Sequence, residues 1–206
     1  MVAVLLPTGF FAGEFYTATD AEEPEYYDVR FGTEILRLDA PTYAVWALSH
    51  GDPVRMANGA EPNRLSLVAV AREAGLADIG QSLADLQELG LVVQLLPVGN
   101  QLQRFAQAHW VKPLAMGLGN TNEDLERVRI GHPDNLRISV SPLAYNVWLY
   151  SDQFQSLWDT CAHVAAQISG QAGDNAATAR PDDVLNEFLP ILPALIAVSC
   201  AYVDRR

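Results

Sequence analysis

Polar and apolar positions alternate through YYDVRF (26–31) and EILRLD (34–39), broken at Gly32-Thr33, which predicts two short strands around a tight turn. The period then changes. APTYAVWALSHGDP (40–53) spaces its apolar residues as a helix does, with Asp39 placed to cap it, Pro41 in the first turn, and Gly51 and Pro53 to stop it. RLSLVAVAREAG (64–75) predicts a second helix closed by Gly75. In the next run, Asp78 stands as a cap and Gln81 three residues on completes a capping box. Leu83, Leu86 and Leu89 give this third helix its apolar stripe, and Gly90 ends it. LVVQLL (91–96), a PVGN turn (97–100) and QLQRF (101–105) then predict a β-hairpin.

The pattern is written twice. Val29, Arg30 and Gly32 correspond to Val128, Arg129 and Gly131, and Leu36-Arg37 corresponds to Leu136-Arg137. Tyr43, Val45, Trp46 and Ser49 correspond to Tyr145, Val147, Trp148 and Ser151. Upstream, Pro7 and Gly13 pair with Pro113 and Gly119. Matches in one order along both halves predict a duplicated unit, 1–107 followed by 108–206, with the strand–strand–helix core used in each. Two copies are too few for a solenoid. Trp46 and Trp148 are expected to anchor the two cores.

Helix, short turn, helix and hairpin is the order of a winged helix-turn-helix, and SLVAVAREAGLADIGQSLADLQELGLVVQLL (66–96) resembles that superfamily in layout. In the second half, SLWDTCAHVAAQ is separated from DDVLNEFL by a long stretch, and Pro190 and Pro193 interrupt the third helix, so this copy is degenerate. The expected fold class is α+β, two tandem winged-helix-like units. The second is expected to pack on the first or on another copy of the chain, as a homodimer. Two strands, a helix carrying Trp46 and two helices ending in ELGLV also resemble the PqqD-like domains that hold leader peptides. That resemblance implies a peptide adding as a strand beside the N-terminal sheet and lying against the third helix. It places the contact on the strand carrying Ile35 and Arg37 and on the helix carrying Gln81, Asp85 and Glu88. The hairpin after the third helix is not part of that family's pattern.

Charge separates the functional readings. The chain has 206 residues, 50% hydrophobic, with a net charge of −12, and Lys112 is its only lysine. This is ample material for a core, and arginine with abundant alanine points to a GC-rich bacterial genome. As a winged-helix regulator, the alternative reading, the chain would set Gln81 and Ser82 against bases and Arg64 and Arg104 against phosphates. The third helix, however, carries Asp78, Asp85 and Glu88 and no basic residue. Nucleic acid is therefore disfavoured as a partner, because the attraction that supplies non-specific affinity is missing.

Catalytic chemistry has no constellation to rest on. G-x-S-x-G, P-loop and G-x-G-x-x-G patterns do not occur, and no cofactor is implied. Cys161 and His163, two apart on a helix, point different ways, which argues against a metal pair. The chain is therefore expected not to be an enzyme. The start, MVAVLLPTGFFAGEF, lacks a basic n-region and is not read as a signal peptide. The apolar run 188–203 is short for a membrane span and holds two prolines, so it is read as a buried helix followed by a strand, in a cytoplasmic protein. One segment favours contact with a partner: GEFYTATDAEEPEYYD (13–28) mixes acidic residues with Phe15, Tyr16, Tyr26 and Tyr27, a composition suited to a basic protein surface. The resulting expectation is a protein- or peptide-binding adaptor.

Overall fold

A computed structural model describes residues 3–58, 60–96, 100–171 and 178–206. The fold is α+β, with helices and several small antiparallel sheets. It divides into two compact units, residues 1–97 with 203–205, and residues 98–202 with Arg206.

In the first unit β1 (Val4–Pro7) pairs antiparallel with β5 (Val92–Leu95). β2 (Phe10–Phe15), β3 (Tyr26–Phe31) and β4 (Glu34–Leu38) form an antiparallel sheet in that order. Gly32, at φ 62°, makes the turn between β3 and β4, a conformation glycine adopts without a Cβ clash. Asp39 then accepts from Thr42 N and starts α1 (Ala40–Ser49). A short α2 (Pro53–Ala57), capped by Asp52, precedes α3 (Arg64–Glu73) and α4 (Ile79–Glu88). One core joins the sheet to the helices: Val29, Phe31 and Leu38 pack with Val45, Trp46, Leu67, Ile79, Leu83 and Leu86. The segment 203–205 closes this unit, where Val203 O accepts from Gly9 N and the wholly buried Asp204 carboxylate accepts from Arg30 Nη1 at 2.7 Å and Gly32 N at 2.6 Å.

The second unit starts with α5 (Gln101–Ala108) and then runs through the same order of elements. β6 (His109–Pro113) pairs with β10 (Ala201–Arg205), a strand that begins in this unit and ends in the 203–205 segment of the first, and β7 (Met116–Gly119), β8 (Val128–His132) and β9 (Asn135–Val140) form the three-stranded sheet. α6 (Pro142–Tyr150), α7 (Leu157–Gln171), α8 (Pro181–Phe188) and α9 (Leu192–Ala197) follow. Local detail recurs. Trp46 Nε1 donates to Thr8 O and Trp148 Nε1 to Cys200 O, while Ser49 and Ser151 each donate to the carbonyl of the tryptophan before them. Both indoles are buried. The apolar run 188–203 is interior, with Phe188, Leu192, Leu195 and Cys200 fully covered. Among the described residues no helix is long and apolar enough to cross a membrane.

Three local expectations are overturned. Residues 101–105 are not the second strand of a hairpin; they belong to α5, where Phe105 and Ala106 are buried side by side with Leu102 one turn before. β5 instead finds its partner in β1, far away in sequence. Residues 97–99 of the expected turn lie outside the described residues. Asp78 does not cap α4: its backbone is left-handed (φ 51°), and a cap oxygen reaches the first-turn N–H groups from an extended backbone. Gln81 Nε2 donates instead to Asp85 at 2.7 Å. Leu89, at the end of α4, is 41% exposed, and the inward face is Ile79, Ser82, Leu83 and Leu86.

Candidate functional site

Strand register decides which side chains share a face. Opposite residues of an antiparallel pair project to the same side, and neighbours along a strand alternate. Val29 and Phe31 lie in the core, so Tyr27, Leu36 and Leu38 share the inner face. Tyr26, Asp28 and Arg30 therefore face outward with Arg37 and Ile35 opposite them on β4. On β2 an irregularity between Phe11 and Gly13 keeps Phe10, Gly13 and Phe15 on the outer side.

This outer face is an ordered aromatic and cationic surface. The Phe15 ring stacks on Tyr26 at 5.2 Å, and the Arg37 guanidinium lies 3.4 Å above the centre of the Tyr26 ring. Arg37 Nε also donates to Asp28 Oδ1 at 3.3 Å, while its side chain is 60% exposed. A guanidinium held between a ring and a carboxylate has little rotamer freedom left to lose when it meets a ligand. Ile35, 55% exposed, stands two residues away on the same strand. In the sheet order β2-β3-β4, β4 is an edge strand, so this pair borders a row of backbone groups able to receive another strand.

The acidic and aromatic run splits between the two faces. Tyr27 lies inside and stacks on Tyr43 of α1 at 4.0 Å, with Phe11 packed against Tyr43 at 5.3 Å. Burial, with Tyr27 and Glu14 nearby, pushes the Tyr43 hydroxyl above its ordinary range. Tyr16 follows β2 and donates to Glu14 at 3.5 Å; desolvation and that carboxylate raise its pKa, so both phenols are protonated at neutral pH. Residues 16–25 form an exposed loop with Asp20, Glu22, Glu23 and Glu25.

Phe15, Tyr26, Ile35 and Arg37 are thus brought onto one face, with Tyr16 just beyond it and Tyr27 behind it. Gln81, Asp85 and Glu88 are elsewhere, on α4, whose inner residues pack against the opposite side of the sheet. Ser82 is 6% exposed and cannot reach a base edge. Arg104 lies on α5 and not on a wing, and Arg64 is exposed at the start of α3. Tyr43, Phe11 and the Arg30–Asp204 pair carry no functional signal in the sequence beyond the recurrence of Arg30 as Arg129 and of Tyr43 as Tyr145.

Among the described residues no three His, Cys, Asp or Glu side chains are grouped to hold a metal ion. The Cys161 thiol is buried, and the His163 ring packs against Phe154 at 4.7 Å and Tyr150 at 5.2 Å. No protein-family model matches the chain, and no curated protein or solved structure matches it.

Proposed function

We propose that the chain is a non-enzymatic adaptor that binds a protein or peptide in extended form along β4 of the first unit. The observation that carries this reading is the Phe15–Tyr26–Arg37 stack beside Ile35 on an exposed edge strand. An added strand would take its affinity from main-chain hydrogen bonds and its specificity from alternate side chains. On the outer face those side chains meet Ile35 and Arg37, which favours an apolar residue and, two positions away, a carboxylate that the guanidinium can receive. The matching element order of the two units supports reading the second as a copy of the first. The buried Ser82 and the helical residues 101–108 weigh against a winged-helix DNA reader.

The test is selection of binders from a displayed library of extended peptides on the intact chain, followed by titration against Ile35→Lys and Arg37→Glu. The selected peptides are expected to lose at least about tenfold in affinity for each variant, roughly 1.4 kcal/mol. Unchanged affinity for both variants would remove β4 as the contact.

A further inference from the structure

Besides the sheet face, the first unit holds a cavity of about 170 Å3 on the other side of α1. Leu5, Ala47, Leu48, Leu67 and Val70 supply apolar wall, and the exposed Asp52, Arg55 and Glu61 stand at its rim. Its covering comes from the chain between α1 and α3, residues 51–56 and 60–63. That cover is pinned at both sides: Leu5 N donates to Pro62 O at 2.6 Å, and Arg55 Nη2 pairs with Glu73 at 2.5 Å.

The second unit shows what the same place holds when the cover is absent. There α6 passes to α7 through residues 151–156 alone. The helices can be aligned through their shared bonds. Ser49 and Ser151 each donate to the preceding tryptophan carbonyl, which sets Leu48 against Tyr150. Asn63 accepts from Ser66 N and Ser156 from Asp159 N, which sets Val70 against His163. In the second unit Tyr150, Phe154 and His163 are packed ring against ring between the helices. In the first unit the counterparts of Tyr150 and His163 are the aliphatic Leu48 and Val70, Phe154 has no aromatic counterpart, and the space beside them is the cavity.

We infer that this cavity is a binding site for one uncharged aromatic ring, the group that the second unit supplies from its own chain. Size agrees, because an apolar cavity of about 150 Å3 is enough to take up benzene. The lining's polar groups also argue for a ligand without charge. Ser49 donates to Trp46 O, Asn63 and Ser66 close a reciprocal capping box, Asp52 caps α2, and Arg55 is held by Glu73. Each of these is engaged within the chain and Glu61 stands at the exposed rim, so a charge carried into the apolar interior would lose water without gaining a partner.

The test is a titration of the full chain with fluorobenzene, read by 19F relaxation and by the methyl resonances of Leu5, Leu48, Leu67 and Val70. Saturable shifts confined to these methyls are expected, with a Kd of about 1 mM or tighter. N-acetylphenylalanine amide in a parallel titration separates the two sources of a ring: tighter binding assigns a peptide side chain, weaker binding a free small molecule. Val70→Phe, which fills the space, should abolish the shifts. Should that variant not fold, the double variant Leu48→Tyr with Val70→His repeats the second unit's choice and should do the same. Absence of methyl shifts at 10-fold excess over about 1 mM, or equal binding by benzoate, would overturn the inference.

Discussion

Asp204 is the most exposed to error by substitution, because its carboxylate is wholly buried and accepts from Arg30 Nη1, Gly32 N and Arg205 N. Replacing it with alanine removes the carboxylate partner of Arg30, which keeps its bond to Gly32 O, and leaves the turn N–H of Gly32 without its acceptor. The cost should be about 3 kcal/mol, at the low end for a broken buried pair because Arg30 keeps some access to water. Urea unfolding of Asp204→Ala checks this, with Asp204→Asn expected between it and the wild type. His50 makes a second test. Burial lowers its pKa from the usual 6.5, against the opposing effect of its contacts with the Trp46 and Ala47 carbonyls. The unfolded chain therefore binds a proton more readily than the folded one. Its contribution to stability is complete above pH ~6.5 and is lost as pH falls through the lowered folded value. Between pH ~6.5 and the lowered folded value, the pH slope of unfolding free energy should flatten in His50→Gln. Cys161, pushed up to about 12 by burial, should not react with a thiol reagent until the protein unfolds.

At the scale of elements, α3 offers the cleanest measurement. Asn63 and Ser66 bond reciprocally at its start, so Asn63→Ala should cost about 1 kcal/mol, read as a lower thermal midpoint. Helices of this kind were legible in the sequence, because Asp39, Gly51 and Gly75 are local punctuation and the apolar spacing between them is local too. What failed was whatever depended on a distant partner. β5 pairs with β1, Val4 opposite Leu95, and nothing near residue 95 announces it. QLQRF after an expected turn reads equally as strand or helix, and the packing of Phe105 and Ala106 decided for helix. The candidate site divides the same way. Phe15, Tyr26, Ile35 and Arg37 could be named from composition and resemblance, but only the register put them on one face and turned Tyr27 to the other. The cavity between α1 and α3 left no trace in periodicity, since it is made by what the side chains do not fill.

For the whole molecule, charge is the property that acts at a distance. With a net charge of −12 the chain should show no detectable binding to mixed-sequence DNA duplex at low salt, measured by fluorescence anisotropy. Micromolar binding that collapses as salt rises would reveal an arginine surface strong enough to defeat that field. The other long-range property is topological. Asp204 meets Gly32 across a separation of 172 residues, within a unit that is otherwise N-terminal. A ribosome makes the chain in order, at roughly 5–20 residues per second, so on the order of 10–30 s pass between those two positions. During that interval the growing polypeptide carries Arg30 without its carboxylate and Gly9 without its acceptor. The first unit is therefore completed only after nearly all of the second has been made, and a nascent chain arrested short of Val203 would lack the contacts of 203–205 that close it.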